Sequence, residues 1–439
     1  MIKKAKPGYK FVKSIFRKDE EIPEDWKFQT FDESFKFLST ASNARSDLTD
    51  KGDINYIHYG DLHTKWKTFL CCDDEEIPFI EEKKIENSTL LQENDLIIAD
   101  ASEDLKGSGV SILLKNVGDK KIVSGLHTFA LRPKNEKIFF NFRAYLTSIN
   151  FVKKQIISYV TGISVYGLSK KNLKRIKILL PTENEQKKIA SILFNTNELI
   201  LSYENTIEST KKFKFGLMYY LLTKGIDQNN FKTIQLIPRW NTVKIPTNWD
   251  AKNISTIGNI VTGSTPKTSN LEYYGDDYLW VSPEDIQDSK ILIDTTKKLT
   301  KKGFDVSRGI HEKSILFVCI GSTIGKIIMA GTKLSTNQQI NSLVCKEHDP
   351  DFIYYQLLFY SKKIKTLGSN VAVPIINKTT FGQFKIPISK NKDEQKKIGS
   401  ILSNIDLKLC QLELKKKKID LIQKALVQKL LTGQIRVAA

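Results

Sequence analysis

Two long segments of the chain carry apolar residues at alternating steps of three and four positions, which is the pattern of a coiled-coil helix. In the later segment these residues are Ile398, Leu402, Ile405, Leu409, Leu412, Ile419, Leu426 and Leu430, and the pattern is interrupted chiefly at Lys416 and Gln423. In the earlier segment the equivalent positions hold Ile189, Leu193, Thr196, Ile200, Tyr203, Ile207, Leu217 and Leu221. Each segment has a proline before it and a glycine after it, Pro181 and Gly225 in one case and Pro387 and Gly433 in the other. The pattern predicts two helices of about 40 residues, each about 60 Å long.

The two predicted helices are copies of each other. EQKKIASIL begins at Glu185, and EQKKIGSIL begins 209 residues later at Glu394. At this offset, 15 of 42 positions from Glu185 to Ile226 are identical without a gap. A long helix with an apolar stripe needs a partner, and the comparable stripe in this chain is that of the other copy. We therefore expect the two helices to pack together and to run antiparallel. The alternative is that each helix covers only its neighbouring domain.

The segments that precede each helix are also related, and their patterns predict strands. INYIHYGDL from Ile54 and YLWVSPEDI from Tyr278 predict short strands that run into a turn. DLIIADAS from Asp95 and SILFVCIG from Ser314 predict buried strands. The predicted fold is mixed α/β, with two globular domains that contain mixed sheets, two long antiparallel coiled-coil helices and an internal pseudo-repeat.

Matching motifs bound the two globular segments. Ile-Pro-x-x-Trp opens both, as EIPEDWKF from Glu21 and as KIPTNWDA from Lys244. GISVYGLSKKNLKRIKILLP from Gly162 closes the first, and GSNVAVPIINKTTFGQFKIPI from Gly368 closes the second. The order is domain, helix, domain, helix. We place the boundaries at residues 1–181, 182–228, 229–387 and 388–439.

Composition favours a globular protein with an anionic partner. The 439 residues are enough for two domains, and 40% of them are hydrophobic. Lys and Arg number 68 against 49 Asp and Glu, a net charge of +19, which favours a nucleic acid as partner. The alternative is that the lysines only solubilise the surface. The five cysteines form no CxxC pair and no long apolar run occurs, so we expect reduced thiols, no membrane contact and a cytoplasmic location.

Sequence motifs for catalysis are absent or incomplete. GSTIGK at Gly321 has three residues between its glycines where a phosphate-binding loop has four, and Ile327 follows its lysine. HYGDLH from His58 lacks further metal ligands, and DDEE at Asp73 is typical of a solvated loop. We also find no glycine-rich S-adenosylmethionine (SAM) fingerprint, no Asn-Pro-Pro-aromatic methylation motif and no nuclease carboxylate cluster. The sequence therefore predicts no catalytic residue and no metal site.

The order of domains and helices, the Ile-Pro-x-x-Trp openings, NKTTFGQFKIPIS before the second helix, and the EQKKI-SIL and LLTGQI helix ends resemble the specificity subunit of type I restriction-modification systems. The resemblance covers essentially the whole chain. It implies two target recognition domains that each read half of a bipartite double-stranded DNA target. It also implies helices that space these domains and bind two methyltransferase subunits. Restriction subunits would join the complex, and SAM, ATP and Mg would bind to the partner subunits.

Two loops at matching places are the first candidates for DNA contacts. TASNARSDL, from Thr40, supplies Ser42, Asn43 and Arg45, and TGSTPKTSN, from Thr262, supplies Lys267 and Thr268. Small residues allow a backbone to approach DNA, hydroxyl and amide groups donate to phosphates and bases, and Arg or Lys suits guanine. The resemblance implies that this loop lies toward DNA. The alternative is an ordinary solvated turn.

Further candidates lie outside these loops. STNQQINS from Ser335 offers Asn337, Gln338 and Gln339, whose amides suit adenine, although a polar strand edge would look the same. Tyr59 and Trp280, with Tyr56 and His58, are candidates for stacking or packing at the DNA face, and aromatic residues in strands also form cores. Where the second domain has GSTIGK, the first has DASEDLKGSGVS from Asp100.

Because the two domains differ in sequence, the two half-sites should differ, which predicts an asymmetric target. The competing hypothesis is a non-enzymatic coiled-coil scaffold that carries two protein-interaction modules. It explains the helices and the duplication. It does not explain the donor-rich loops at matching places or the excess of positive charge.

Overall fold

The computed structural model describes residues 5–13, 19–85, 87–135, 137–236, 242–287, 289–368 and 374–437. Part of the closing motif that starts at Gly368 falls on 369–373 and lies outside the described residues. The chain divides into two compact units. The first unit comprises Met1–Ser202 and Lys417–Ala439, and the second unit comprises Tyr203–Lys416.

The first unit contains two mixed sheets formed by short, apolar strands. The five-stranded sheet has the spatial order Phe35–Phe37, Thr128–Pro133, Leu96–Ala99, Ser111–Lys115 and Thr68–Cys71. Its last pair is parallel and its other pairs are antiparallel. The three-stranded sheet has the order Lys121–Ser124, Ile54–Ile57 and Phe79–Ile80. Leu96–Ala99 and Ile54–Ile57 are buried throughout, because both faces of each strand are covered.

The second unit repeats this topology. Its five-stranded sheet has the order Gly258–Thr262, Ile340–Cys345, Ile315–Val318, Ile327–Ala330 and Ile291–Leu292, again with a parallel last pair. When the five strands of each sheet are numbered along the chain, both sheets have the order 1-5-3-4-2. A four-stranded sheet has the order Lys297–Leu299, Tyr274–Val281, Leu334–Thr336 and Gly309–Ile310. The internal repeat predicted from the helices therefore extends to the sheets.

In each unit the strand after the opening motif pairs with the strand before the long helix. Lys27–Thr30 pairs antiparallel with Lys177–Leu180, and Trp249–Asn253 pairs antiparallel with Lys385–Ser389. The two ends of each globular segment are thereby joined. Three other two-stranded pairs are Tyr9–Lys13 with Asp19–Pro23, Ala101–Ser102 with Tyr166–Gly167, and Phe231–Ile234 with Val243–Pro246.

Shorter helices complete the two units. In the first unit they are Phe31–Ser34, Tyr59–Thr64, Phe140–Arg143, Asn150–Tyr159 and Lys170–Arg175. In the second unit they are Ile254–Ile257, Lys301–Val306, Pro350–Lys365 and Lys378–Gln383. Short 3-10 helices lie at Arg45–Asp47, Glu82–Lys84, Leu146–Ser148 and Leu271–Tyr273. None of the described helices combines the length and the apolar composition that a membrane span requires.

The first long helix is Glu183–Lys224 and the second long helix is Lys392–Leu430. Gly225 and Gly433 follow them with positive φ of +70° each, a conformation that glycine adopts at helix ends. Within the second unit the two helices run antiparallel, because later residues of one pair with earlier residues of the other. The salt bridges Glu204–Lys416, at 2.9 Å, and Lys211–Glu413, at 2.8 Å, are followed by Lys214–Asp406. The predicted fold class is confirmed.

Candidate DNA interface and helix pair

The apolar stripes of the long helices face inward over most of their length. The buried members are Ile189, Leu193, Ile200, Ile207, Leu221, Ile398, Leu402, Leu409, Leu412 and Leu430. The half-buried members are Thr196, Tyr203, Leu217, Ile405, Ile419 and Leu426. The long helices pack on each other, and each also packs on its neighbouring domain, so both alternatives predicted from the sequence occur. Ile207, Leu409 and Leu412 form a cluster between the helices, whereas the helix ends join the cores of the globular parts.

The near-identical EQKKI segments anchor each helix to the domain that precedes it. The indole nitrogen of Trp26 donates to Oε2 of Glu185 at 2.8 Å, and that of Trp249 donates to Oε2 of Glu394 at 3.0 Å. All four side chains are buried. The tryptophan of Ile-Pro-x-x-Trp and the glutamate of EQKKI therefore form one hydrogen bond, repeated in each unit. The sequence showed both motifs as repeats but did not indicate that they meet.

The end of the other long helix completes each of these anchors. In the second unit, the N–H of Ile226 donates to Oε1 of Glu394 at 2.9 Å. In the first unit, Arg436 donates to both oxygens of Glu185 at 2.8 and 2.9 Å and to Asp25 at 2.7 Å. This pairing raises the pKa of Arg436, and the hydrogen bond to Glu185 contributes most. Each buried glutamate is thus satisfied by its own domain and by the segment that follows the other helix.

The neighbouring glutamine of EQKKI is equally buried and binds backbone groups. Oε1 of Gln186 accepts from the N–H of Phe139 at 2.8 Å, and Oε1 of Gln395 accepts from the N–H of Asp349 at 3.0 Å. Lys187 and Lys188, which follow Gln186, are exposed. The repeat of these letters therefore has a structural cause, since Glu, Gln and Ile hold each helix start in place.

In the second unit the two candidate segments lie side by side. The N–H of Ser264 donates to the carbonyl of Thr336 at 2.8 Å, and Thr265 Oγ1 donates to Oε1 of Gln338 at 2.5 Å. A Cβ at Gly263 would lie 2.1 Å from the carbonyl oxygen of Asn337, so this close approach requires glycine. The structure thus brings the TGSTPKTSN loop and the STNQQINS turn to one edge of the sheet.

Of the candidate residues at this edge, Lys267, Thr268 and Gln338 are exposed. Gln339 is half-buried, and Asn337 is buried with its amide bonded to the side chain and backbone of Gln339. Lys267 has no ion-pair partner among the described residues. Among the candidates, Lys267, Thr268 and Gln338 therefore offer donors to solvent, while Asn337 fixes the turn.

Trp280 and Arg308 support the same loop. The indole of Trp280 is buried, and its N–H donates to the carbonyl of Ser264 at 3.1 Å. Arg308 is exposed and donates through Nη1 to the carbonyl of Thr262 at 3.0 Å. In the free protein Trp280 thus packs beneath the loop. Arg308 adds a cation at this edge that sequence reasoning missed, because it lies 41 residues beyond Lys267 in the chain.

In the first unit the matching loop is held by neighbouring strands and turns. Ser42 is exposed, and the carbonyl of Asn43 accepts from the hydroxyl of buried Tyr56 at 2.6 Å. Nδ2 of Asn43 donates to the carbonyl of Lys84 at 3.2 Å. Arg45 opens a 3-10 helix, and its Nη2 donates to Oδ1 of Asp61 at 2.8 Å. The loop therefore presents Ser42 and Arg45, whereas the backbone of Asn43 is used to hold it.

Tyr59 lies among three histidines beside this loop. Its ring centroid lies 4.7 Å from that of His58, 6.3 Å from that of His63 and 5.4 Å from that of His127. His127 also contacts Asp100 at 3.1 Å. Burial, followed by the charge of Arg45, lowers the pKa of His58, while burial raises the pKa of the Asp100 carboxyl. Tyr59 is half-buried and forms part of a polar, aromatic surface that only the fold assembles.

The motifs that the sequence analysis rejected have other roles. HYGDLH forms the helix Tyr59–Thr64, for which His58 Nδ1 caps the N–H of Gly60. GSTIGK is a turn that ends at the strand Ile327–Ala330, and Nζ of Lys326 donates to the carbonyl of Ile286 at 3.1 Å. The DDEE residues are exposed. Within the described ranges, no group of three or more His, Cys, Asp or Glu side chains is arranged to hold a metal ion.

Comparison with known proteins gives a consistent picture. The sequence profile of the family described as type I restriction modification DNA specificity domain matches the chain twice, over residues 23–212 and 246–424. The putative type I restriction enzyme MjaX specificity subunit of Methanocaldococcus jannaschii is 28% identical over 447 residues, which cover 96% of this chain and 97% of that relative. The type I restriction enzyme HindI specificity subunit of Haemophilus influenzae is 32% identical over 201 residues, which cover 44% of this chain and 42% of that relative.

Solved structures share the fold. The crystal structure of the S subunit of a type I restriction-modification system from M. genitalium has a TM-score of 0.59 at 17% identity and covers 92% of this chain and 96% of its own. A chain solved in work on complex assembly and conformational transition of the type I R-M system has a TM-score of 0.55 at 14% identity. It covers 95% of this chain and 100% of its own.

Proposed function

Since this chain belongs to the family of type I restriction-modification DNA specificity subunits, we propose that its two globular parts each read one half of a bipartite DNA target. One observation carries this proposal. In each unit the first strand of the five-stranded sheet, in its 1-5-3-4-2 order, leads into a loop that exposes hydroxyl and cationic side chains. A candidate reading surface therefore occurs at the same place in both versions of the fold.

The two surfaces differ in chemistry, which supports an asymmetric target. The first has an arginine within a polar and aromatic surface, and the second has Lys267, Arg308 and the Gln338 amide. Different donors suit different base edges, so the two half-sites should differ in base sequence. The spacing of the half-sites would be fixed by the two long helices, whose length does not change with the DNA sequence.

Phosphate contacts should add to base contacts. A net charge of +19 favours the approach of DNA, and Lys267 and Arg308 at the loop of the second unit would replace condensed cations. The affinity of the protein for DNA should therefore fall steeply as salt increases. A protein-interaction scaffold would not need this dependence.

Two methyltransferase subunits would dock on the exposed faces of the long helices. Phe213 is 62% exposed, and Ile422, its counterpart at the offset of 209 residues, is 55% exposed. Large apolar side chains held in water at repeat-related positions are typical of protein contact sites. The duplication thereby supports two docking sites of the same kind.

The chemistry would be supplied by the partners. SAM would bind to the methyltransferase subunits for transfer to adenine N6, and ATP and Mg would bind to partner subunits when restriction subunits join the complex. The contribution of this chain is selection of the sequence and placement of the partners. Its location would be the cytoplasm, where the DNA of a bacterial or archaeal cell lies.

Docking is tested by co-purification of this chain with a candidate adenine methyltransferase subunit, followed by native mass spectrometry. We expect two methyltransferase subunits per chain. Phe213→Ser and Ile422→Ser should each remove one subunit and leave the free energy of unfolding within about 0.5 kcal/mol, because both side chains are exposed. Leu407→Ser is the matched control and should leave both subunits bound, because the counterpart of Leu407 at the offset of 209 residues is the charged Glu198. A chain that binds no methyltransferase but binds other proteins would support the scaffold hypothesis instead.

A further inference from the structure

A buried carboxylate lies against one candidate reader of the first unit. The side chain of Asp61 is 1% exposed, and its Oδ1 lies 2.8 Å from Nη2 of Arg45. Its Oδ2 has no hydrogen-bond partner among the described residues. Nζ of Lys65 is 3.9 Å from Oδ1, which is too long for a hydrogen bond. Because an unpaired buried charge is costly, Arg45 is the principal counter-charge that keeps Asp61 in this position.

Arg45 is held at one nitrogen and open elsewhere. Its side chain is 55% exposed, and the Nη2 that contacts Asp61 is also 3.4 Å from Nδ1 of His58. The N–H of Gly60 donates to the same Nδ1 at 3.1 Å, which places the proton of a neutral His58 on Nε2. The other guanidinium N–H groups of Arg45 have no partner in the part of the chain that the structure describes. These N–H groups can therefore donate to a ligand that accepts two hydrogen bonds.

Gly60 makes room for this arrangement. A Cβ at Gly60 would lie 3.3 Å from Nη2 of Arg45 and 3.2 Å from Nδ1 of His58, which is tight for either neighbour. A larger residue would displace the guanidinium without changing its charge. The direction of the Arg45 side chain is therefore fixed by a cluster of Asp61, His58 and Gly60.

The ligand that suits such a side chain is guanine. Its major-groove edge offers N7 and O6 as adjacent acceptors, and an arginine binds both in one plane. A long side chain normally loses rotamer freedom when it binds, and prior fixation reduces this loss. Resting on the proposed function, we infer that Asp61 is a positioning residue that fixes Arg45 for bidentate recognition of one guanine in the half-site read by the first unit. A phosphate contact would carry no base information.

The test measures base preference by the complex of this chain with its methyltransferase subunits. Each unmethylated duplex carries the motif that the complex methylates, with one base pair exchanged. The kcat/KM for methylation is determined for each duplex. The wild type should prefer one G·C pair of one half-site by about 10-fold to 100-fold. Arg45→Lys, which keeps the charge, and Asp61→Asn should each reduce that preference to less than about threefold at the same pair. The preferences at the other half-site should not change.

Three further measurements separate positioning from folding. Lys65→Gln removes the other cation near Asp61 and should leave every base preference unchanged. Gly60→Ala should lower the preference at the same G·C pair by displacing Arg45. Thermal unfolding of each variant establishes that it is folded. If Asp61→Asn does not fold, Arg45→Lys still tests the assignment, because this exposed position tolerates a lysine.

The outcomes are distinguishable. Unchanged preference at every G·C pair in either Arg45→Lys or folded Asp61→Asn contradicts the assignment, as does an equal loss of rate on all duplexes, which is the mark of a phosphate contact. If the wild-type complex prefers no sequence at all, the proposed function fails and the assignment fails with it. Loss of preference at one G·C pair in both variants supports both the assignment and the proposed function.

Discussion

The indole nitrogen of Trp26 donates to the buried carboxylate of Glu185 across 2.8 Å and thereby joins the opening motif of the first globular part to the start of the first long helix. Trp249 and Glu394 form the same bond in the second unit at 3.0 Å. The chain therefore repeats a globular part, a long helix and the hydrogen bond that joins them within each unit.

Loss of the Trp26 bond should be costly. Trp26→Phe removes a donor from a buried carboxylate, so we expect the free energy of unfolding to fall by about 1–3 kcal/mol beyond the loss of packing. Trp66→Phe is the matched control, because the indole of Trp66 is also buried in the first unit but its N–H has no hydrogen-bond partner among the described residues. Urea unfolding of both variants gives the comparison. Equal destabilisation would show that the hydrogen bond contributes nothing.

The Trp–Glu bonds also mark what sequence patterns reveal and what they do not. The helices, the strand runs and the repeat follow from apolar spacing and from near-identical letters, which are local signals. That Trp26 meets Glu185, 159 positions later, is a tertiary contact between two motifs that each look complete alone. The candidate surfaces show the same division, since Lys267 lies in a recognisable loop whereas Arg308 and His127 join their surfaces only through the fold.

The seam of the long helices should tolerate substitution according to burial. Leu402 is 0% exposed in the core of the second unit, and Leu407 on the same helix is 57% exposed. Leu402→Ala should lower the free energy of unfolding by about 2–5 kcal/mol, because it leaves a cavity. Leu407→Ala should change it by less than about 0.5 kcal/mol. Similar effects of the two changes in urea unfolding would contradict the helix packing described here.

The loop of the second unit should contribute to DNA affinity through charge. Lys267→Gln should weaken DNA binding and reduce the slope of log K against log salt by about 1, because one phosphate contact is lost. Lys302→Gln is the control, since exposed Lys302 already pairs with Glu272 at 3.1 Å. Fluorescence anisotropy at several salt concentrations measures both slopes. A slope that Lys267→Gln leaves unchanged would remove this residue from the interface.

Stability should fall at mildly acidic pH through two histidines. Burial, aided by Arg45 at His58 and by Lys252 at His348, lowers both pKa values below the usual 6.5. The unfolded chain therefore binds more protons than the folded chain as pH falls through 6.5, so the free energy of unfolding decreases from pH 7.5 to 5.5. His58→Asn and His348→Asn should each remove part of this decrease. If both variants keep the wild-type pH dependence in urea unfolding, the lowered pKa values assigned to these two rings are wrong.

The most direct measurement is single-molecule sequencing of N6-methyladenine in cells that express a candidate methyltransferase subunit with and without this chain. The account predicts methylation at one bipartite motif with two different half-sites, and only when the chain is present. Arg45→Lys should reduce the base preference within one half-site. Lys267→Gln should reduce the extent of methylation without altering the sequence of either half-site. A palindromic motif, or a motif that persists without this chain, would contradict the account.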